Sequence, residues 1–375
     1  MQRELVPALS KALYENGPTV AVLPRGPGQA AISGAVRPDE PLAEDGIALI
    51  VPTSGSTGAP KGVLLSAAAL LASARLTHDR LGGDGEWLLA LPPTHIAGLQ
   101  VLTRSLEAGR APAVLDQAGG FGPGSFIRAT RALTGQRRYT ALVPTQLRRL
   151  LGDGPTMVAA ADALRTYDAI LVGGAAAPPQ LLTRARDEGV RVVTTYGMTE
   201  TAGGCVYDGV PLDRVGVRIG TGEVIELAGP TIAAGYRSDL AATAAAFRSG
   251  WFRTTDRGRL YDGRLVVTGR ADDAILSGGV TVDPVAVEAA LESHPAVATA
   301  AVTSRLDPEW GEHVIALVVP TAPGGALGVD DIRIWVAERL GAASTPREVI
   351  AVGSLPTLPT GKLDRAAIRE TVRRD

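Results

Sequence analysis

The chain has 375 residues, of which 45% are hydrophobic and 20% charged, and its formal net charge is −2. This much apolar material can build a sizeable core, which excludes a disordered or fibrous protein, and the near-neutral charge gives no basic field for nucleic acid. A single cysteine, Cys205, excludes an intramolecular disulfide framework and indicates a reducing compartment. Because the sequence has neither a bilayer-length apolar run nor a secretory leader, we expect a cytoplasmic protein without membrane insertion.

Short apolar runs alternate with amphipathic segments between residues 47 and 195. The pattern predicts, in chain order, strand 47–51, helix 67–80, strand 87–91, helix 97–107, strand 111–115, helix 125–133, strand 139–143, strand 169–172, helix 179–188 and strand 191–195. Such alternation is typical of a mostly parallel sheet with helices on both faces. Ligands of such sheets bind beyond the carboxyl ends of the strands, where we expect the site.

Two further regions follow. Residues 205–268 contain short strands separated by glycine, at 222–227 and 264–268, which predicts a β-rich antiparallel subdomain. The last region predicts helix 284–293, strands 299–303 and 314–319, helix 330–340, strand 348–352 and helix 365–373. We therefore predict an α/β fold with a large N-terminal domain, residues 1–271, and a small mobile α+β C-terminal domain, residues 272–375.

The most informative segment follows the first of these strands. It is rich in hydroxyls and glycines and ends with a lysine and a glycine: Thr53, Ser54, Gly55, Ser56, Thr57, Gly58, Ala59, Pro60, Lys61, Gly62. Glycine backbones can approach phosphate oxygens closely, hydroxyls donate hydrogen bonds and a lysine adds a point charge. A Walker A loop would need Ser or Thr after Lys61, and a nucleophile elbow would need Gly at position 54. The segment predicts a phosphate-binding loop of a different kind.

Lysine is rare in this chain, since only Lys11, Lys61 and Lys362 occur among 37 basic residues. A lysine retained in an arginine-rich sequence indicates a need for a compact ammonium. Five segments that include the last two lysines resemble, in order, the motifs of the adenylate-forming superfamily of acyl-CoA synthetases, adenylation domains and luciferases. These segments are residues 53–62, 195–201, 250–258, 269–279 and 359–365. The resemblance implies ATP, Mg²⁺ and CoA as the small molecules that the chain uses, together with a carboxylic acid.

The resemblance also implies residue roles. Glu200, beside Thr199, would hold Mg²⁺ against the ATP phosphates, since Mg²⁺ prefers carboxylate and phosphate oxygens. Asp256 would accept hydrogen bonds from the ribose hydroxyls, and Arg270 would add a ribose or phosphate contact. Lys362 would be the catalytic lysine that bridges the carboxylate and the ATP phosphates. Further implied nucleotide contacts are Gly173, Gly174, Ala175, Tyr196 and Gly197.

Asp272 matches the hinge position of the superfamily, although a plain surface aspartate is the alternative. Superfamily members first form acyl-AMP, and a rotation of the small domain about the hinge then lets a thiol attack it. The resemblance therefore implies an AMP-forming acid–thiol ligase with domain alternation. A homodimer is implied by analogy alone.

Within the superfamily, the chain is similar to the short, actinobacterial type of o-succinylbenzoate–CoA ligases of menaquinone biosynthesis. The phosphate loop begins only 53 residues into the chain, and segment 91–105 matches the acyl-pocket segment of that group. His95 would line or gate the acyl pocket, with helix capping as the alternative. Arg104 would face an anionic substrate, with a helix-surface charge as the alternative. Free CoA is the expected acceptor, because no carrier domain follows Lys362.

Three other functions stay open. They are a CoA ligase for another aryl or medium-chain acid, an acyl-AMP ligase that serves a carrier protein, and a non-catalytic nucleotide-binding homologue, which would be expected to lack Glu200 or Lys362. One departure concerns Thr255, which stands where the superfamily usually has glycine. A β-branched residue does not readily take a positive φ, so the sequence predicts either a different turn or a position that never needed that freedom.

Overall fold

The computed structural model describes residues 2–23, 29–42, 44–54, 60–116, 120–152, 154–270, 273–307, 310–322, 328–357 and 363–373. In these ranges the α-helices are α1 (Gln2–Tyr14), α2 (Gln29–Val36), α3 (Ala67–Leu81), α4 (Ile96–Glu107), α5 (Pro123–Arg131), α6 (Pro144–Leu150), α7 (Pro155–Arg165), α8 (Pro179–Asp187), α9 (Leu240–Ala246), α10 (Pro284–Glu292), α11 (Val329–Leu340) and α12 (Arg365–Arg373). The strands are β1 (Val20–Ala21), β2 (Ile47–Ser54), β3 (Pro60–Ser66), β4 (Glu86–Leu89), β5 (Ala113–Val114), β6 (Arg138–Leu142), β7 (Ala169–Gly173), β8 (Val192–Met198), β9 (Gly203–Tyr207), β10 (Val210–Pro211), β11 (Gly216–Ile219), β12 (Val224–Ala228), β13 (Gly235–Tyr236), β14 (Phe247–Arg248), β15 (Trp251–Tyr261), β16 (Arg264–Arg270), β17 (Ile275–Ser277), β18 (Val280–Val282), β19 (Val297–Asp307), β20 (Gly311–Pro320) and β21 (Glu348–Ala351).

The largest sheet has the order β10-β9-β8-β7-β6-β4-β5. Strands β4 to β8 are mutually parallel, and β9 and β10 extend the sheet in antiparallel fashion. Successive side chains of a strand point to opposite faces, so Trp87 and Leu89 join a core cluster that includes α3 and α4, whereas Leu88 joins one that includes α5 to α8. The predicted α/β fold, with a mostly parallel sheet and helices on both faces, is confirmed.

Strand β2 lies outside this sheet, which differs from our expectation for residues 47–51. It forms a hairpin with β3 in a separate sheet of order β1-β2-β3-β13, in which β2 and β3 are antiparallel. The buried run Val63–Leu65 supplies β2 with a partner close by in the sequence. The hairpin places Thr53 directly opposite Lys61, so both ends of the predicted phosphate loop lie side by side.

From β11 onward the predicted β-rich region is antiparallel, with the order β11-β12-β15-β14 and β16 paired to β15. Its predicted start at residue 205 is wrong, because β9 and β10 pair onto β8 and extend the large sheet. Beyond the β-rich region, β17 to β21 form a sheet with α10 and α11 in the core on one side and α12 on the other. The predicted domain boundary between residues 271 and 272 falls outside the described residues and stays a prediction. In the described part of the chain, no helix combines the length and the apolar character that crossing a bilayer requires.

Candidate active site

A cavity of about 570 Å³ opens where the parallel strands end. Its walls include residues that follow the carboxyl ends of β4, β6, β7 and β8, together with parts of α4, the β2–β3 hairpin, α9 and strand β15. This is the position at which open α/β sheets bind ligands. The cavity is lined by these residues singled out from the sequence: Thr53, Lys61, His95, Arg104, Gly173, Gly174, Gly197, Thr199, Glu200 and Arg270.

Other predicted site residues lie elsewhere. Tyr196 and Asp256 are not among the lining residues and bond to each other, and Ala175 follows Gly174 without lining the cavity. Strand β2 ends at Ser54. The predicted residues that fall outside the described residues are Gly55, Ser56, Thr57, Gly58, Asp272 and Lys362.

Asp256 is held in a defined position on β15. The Tyr196 hydroxyl donates to its Oδ2 at 2.8 Å, and its own backbone N–H donates to Thr254 Oγ1 at 3.0 Å. Burial, the first cause, and the neighbouring carboxylate raise the pKa of Tyr196, so its hydroxyl keeps its proton and remains a donor. Arg270 lies opposite Asp256 across β15 and β16, with its Nη1 3.9 Å from Asp256 Oδ1. The arrangement presents an oriented carboxylate beside a guanidinium.

Thr255 has a role that glycine could not fill. It lies inside strand β15, and it is not among the described residues with a positive φ, so the backbone there needs no glycine. Its Oγ1 accepts a hydrogen bond from Arg270 Nη2 at 2.9 Å. The position therefore never needed the freedom of a glycine, and its hydroxyl helps to orient Arg270.

A second group of charges gathers near the phosphate-loop hairpin. Lys61 Nζ lies 4.8 Å from the centroid of the Tyr236 ring, and the Tyr236 hydroxyl donates to Glu200 Oε1 at 3.1 Å. Burial raises the pKa of Glu200, while the Tyr236 hydrogen bond and the charge of Lys61 act in the opposite direction. Tyr236 thus contacts both the ammonium of Lys61 and the carboxyl group of Glu200 at the cavity, and it was not identified from the sequence.

Glycines fit the strands together at this site. A Cβ on Gly173 would lie 2.2 Å from Thr195 Oγ1, and a Cβ on Gly197 would lie 2.1 Å from the carbonyl oxygen of Gly203. No real side chain tolerates such distances, so β7, β8 and β9 can approach only with glycine at these places. Gly173 and Gly174 both line the cavity.

Arg104 is buried in the cavity wall, with only 3% of its surface exposed. The guanidinium carbon lies 5.0 Å from the centroid of the Trp87 ring, and Nη2 donates to the Tyr207 hydroxyl at 3.4 Å. Its Nε has no hydrogen-bond partner among the described residues, and burial lowers its pKa. A desolvated guanidinium of this kind favours an anionic group as its neighbour. The alternative of a helix-surface charge at Arg104 is wrong.

His95 occupies the N-cap position of α4 and lines the same cavity. Its Nδ1 lies 3.0 Å from Thr94 Oγ1. His95 and Arg104 are therefore presented to one cavity by a single helix, about two and a half turns apart.

Two family models match the chain. The model described as AMP-binding enzyme matches residues 4–232, which is more than half of the chain, and the model described as AMP-binding enzyme C-terminal domain matches residues 286–362. The chain belongs to the AMP-binding enzyme family. The superfamily that the sequence motifs indicate is thereby confirmed.

Several known proteins are similar to this chain over most of its length. A protein of Mycobacterium tuberculosis named as a probable 2-succinylbenzoate–CoA ligase is 46% identical over 97% of this chain and 94% of its own length. A feruloyl-CoA synthase of Amycolatopsis is 33% identical over 97% of this chain and 81% of its own. The o-succinylbenzoate CoA synthetase of Bacillus subtilis, solved with its acyl-adenylate intermediate, superposes with a TM-score of 0.74 at 30% identity, covering 86% of this chain and 69% of that one.

Proposed function

We propose that this chain is a 2-succinylbenzoate–CoA ligase of menaquinone biosynthesis, which activates one carboxylate as an acyl-adenylate and passes the acyl group to CoA. The observation that carries the proposal is Arg104, a buried guanidinium in the cavity wall without an ion-pair partner among the described residues. 2-Succinylbenzoate has two carboxylates, so one keeps its charge while the other reacts. A buried cation offsets the desolvation of that remaining charge, which a monocarboxylic acid such as ferulate would not require.

The nucleotide would bind along β8 and β15. Asp256, oriented by the Tyr196 hydroxyl, would accept hydrogen bonds from the ribose, and Arg270 would contact ribose or phosphate. Gly173 and Gly174 line the cavity at the end of β7, where a flat adenine ring would lie against backbone without side chains. A solved relative that holds an acyl-adenylate supports a nucleotide site in this fold.

The triphosphate would lie near the β2–β3 hairpin. Lys61 and Thr53 face each other there, and the loop between them would receive the outgoing pyrophosphate. In the described residues no cluster of three or more His, Cys, Asp or Glu could hold a metal ion. Glu200 alone suits a Mg²⁺ ion that arrives with ATP and takes its other oxygens from phosphate, where it would neutralise phosphate charge.

The residues divide the chemistry as follows. Arg104 and His95 hold the acid so that its reacting carboxylate points at the α-phosphorus. Thr199 and Lys61 contact phosphate oxygens. Lys362 bridges the attacking carboxylate and the phosphates, and the carboxylate oxygen displaces pyrophosphate in line. The C-terminal domain then turns about Asp272, and the CoA thiol attacks the acyl carbon and expels AMP. The positions of Lys362 and Asp272 are proposed from the motifs alone.

Mass spectrometry of the products tests the proposal. The protein is incubated with Mg·ATP, CoA and, in turn, 2-succinylbenzoate, ferulate and a medium-chain acid. We expect a CoA thioester mainly from 2-succinylbenzoate. A preference for another acid contradicts the substrate, an acyl-adenylate without thioester indicates a carrier-protein acceptor, and no adenylate from any acid indicates a non-catalytic protein.

A variant pair isolates the role of Arg104. Arg104→Leu should raise KM for 2-succinylbenzoate at least tenfold, with KM for ATP unchanged. Arg218→Leu is the matched control, because Arg218 stacks on Trp251 at 4.1 Å on the exposed side of another sheet. Equal effects of the two substitutions would contradict the proposed role of Arg104.

A cytoplasmic location, in keeping with the free buried Cys205, belongs to the proposal, and the homodimer expected by analogy stays a prediction.

A further inference from the structure

Behind the cavity wall, two consecutive residues of α3 support the contacts of Arg104. Thr77 and His78 are both buried, with 0% and 3% of their surfaces exposed. Thr77 bonds to Tyr207 and His78 bonds to Trp87, the two aromatic residues that contact Arg104. Neither Thr77 nor His78 lines the cavity.

The hydroxyls on the Tyr207 side form a directed chain. Thr77 Oγ1 donates its hydrogen to the backbone carbonyl of Ser73 at 2.7 Å, so at 2.9 Å from the Tyr207 hydroxyl it acts as the acceptor. Tyr207 then uses its hydrogen on Thr77 and offers a lone pair to Arg104 Nη2. The Tyr207 hydroxyl therefore presents a lone pair, and not its hydrogen atom, to the guanidinium of Arg104.

The Trp87 side is fixed by His78. The indole Nε1–H donates to His78 Nε2 at 3.0 Å, which requires an unprotonated Nε2. The ring proton is then on Nδ1, which lies 2.8 Å from Asp84 Oδ1. Burial, followed by the charge of Arg104, lowers the pKa of His78, in keeping with a neutral ring. The bond holds the indole plane on which the guanidinium lies.

We propose that Thr77 and His78 are positioning residues that fix the orientation of Arg104 toward the unreacted carboxylate of the acid substrate. The inference rests on the proposed function and adds to it. An arginine side chain has many rotamers, and a site recognises a ligand well only when supporting groups leave it a single arrangement. Here one turn of α3 supplies a partner to each of the two groups that Arg104 touches.

The threonine offers a matched test. Thr77→Val removes the acceptor of the Tyr207 hydroxyl, and Thr130→Val removes the same kind of bond, at the same 2.9 Å, from the Tyr167 hydroxyl on the opposite face of the large sheet. We expect Thr77→Val to raise KM for 2-succinylbenzoate about fivefold, with kcat and KM for ATP unchanged. Thr130→Val should leave all three constants unchanged.

The histidine offers a second test, with a conservative rescue. His78→Leu should raise KM for 2-succinylbenzoate about tenfold, and His78→Gln, whose amide oxygen can accept from Trp87, should restore most of it. In a double variant with Arg104→Leu, His78→Leu should add no further loss, because a positioning residue has no effect once the group that it positions is gone. Melting temperatures identify any variant that fails to fold.

A monocarboxylic analogue of 2-succinylbenzoate that lacks the unreacted carboxylate completes the experiment. The analogue keeps the reacting carboxylate and should be turned over alike by wild type, Thr77→Val and His78→Leu. Equal losses on this analogue and on 2-succinylbenzoate, or additive losses in the double variant, overturn the positioning role. Wild-type turnover of 2-succinylbenzoate with unchanged KM in both Thr77→Val and His78→Leu overturns this inference alone. No turnover by wild type overturns the proposed function and this inference with it.

Discussion

Replacing Tyr196 by phenylalanine should weaken ATP binding while sparing the fold. The substitution removes one oxygen, whose hydrogen is donated to Asp256 Oδ2 at 2.8 Å. Asp256 has a side chain that is 14% exposed, so the lost donor is only partly replaced by water. Asp256 would then hold the ribose less well.

The magnitude follows from the kind of bond. A hydrogen bond to a charged group contributes about 1.5–3 kcal/mol. The partial exposure of Asp256 and the nearby guanidinium of Arg270, 3.9 Å away, place the loss at the lower end. About 1.5 kcal/mol corresponds to a roughly tenfold rise in KM for ATP.

ATP–pyrophosphate exchange measures this constant without the thioester step. Tyr167→Phe is the control, since Tyr167 is a buried tyrosine whose hydroxyl bonds to Thr130 at 2.9 Å, and neither residue lines the cavity. The two variants should lose similar melting temperature, and only Tyr196→Phe should change KM for ATP. A KM within twofold of the wild-type value in a folded Tyr196→Phe protein would refute the assignment of Asp256 to the ribose.

Three further outcomes are expected. Burial raises the pKa of Glu200 above the ordinary 4.5, so the folded state binds the proton of this carboxyl group more tightly than the unfolded state does. The free energy of unfolding therefore falls as pH rises from about 4.5 through the folded pKa. Glu200→Gln should melt above wild type at pH 7 but not at pH 4, and should lose adenylation. Gly197→Ala forces a Cβ against the Gly203 carbonyl and should lower the free energy of unfolding in urea by about 3 kcal/mol, with no adenylation left. Arg365→Leu leaves the buried Glu288 carboxylate without its partner, Arg365 Nη2 at 2.8 Å. The substitution should lower the free energy of unfolding by about 3 kcal/mol in the same assay, and the double variant with Glu288→Leu should recover most of this loss.

The parallel strands β4 to β8 of the large sheet could be predicted because their apolar runs alternate with amphipathic helices. The sequence did not reveal β3, since the apolar run Val63–Leu65 is only three residues long and passes directly into the helix that begins at Ala67. A short apolar run of this kind has no period that separates a strand from the start of a helix. For the same reason the hairpin partner of β2 could be found only in the structure.

The nucleotide side of the site could be predicted because its residues lie in short contiguous sequence motifs. The groups that orient those residues could not, because each comes from a distant part of the chain: Tyr236 reaches Glu200 across 36 residues, and Tyr207 reaches Arg104 across 103. One signal was present. Aromatic residues make up only 4% of the chain, and Trp87, Tyr207 and Tyr236 all stand at or behind the cavity wall.

Arg104 has a consequence for any attempt to make this protein more robust. Its desolvated charge, only partly offset by an indole face and one hydroxyl, works against the folded state. A screen for heat resistance without substrate would therefore favour leucine or methionine at this position, and would select molecules that survive heating better but no longer discriminate between acids. Heating in the presence of substrate would reverse the ranking, because a bound anion stabilises only the arginine form.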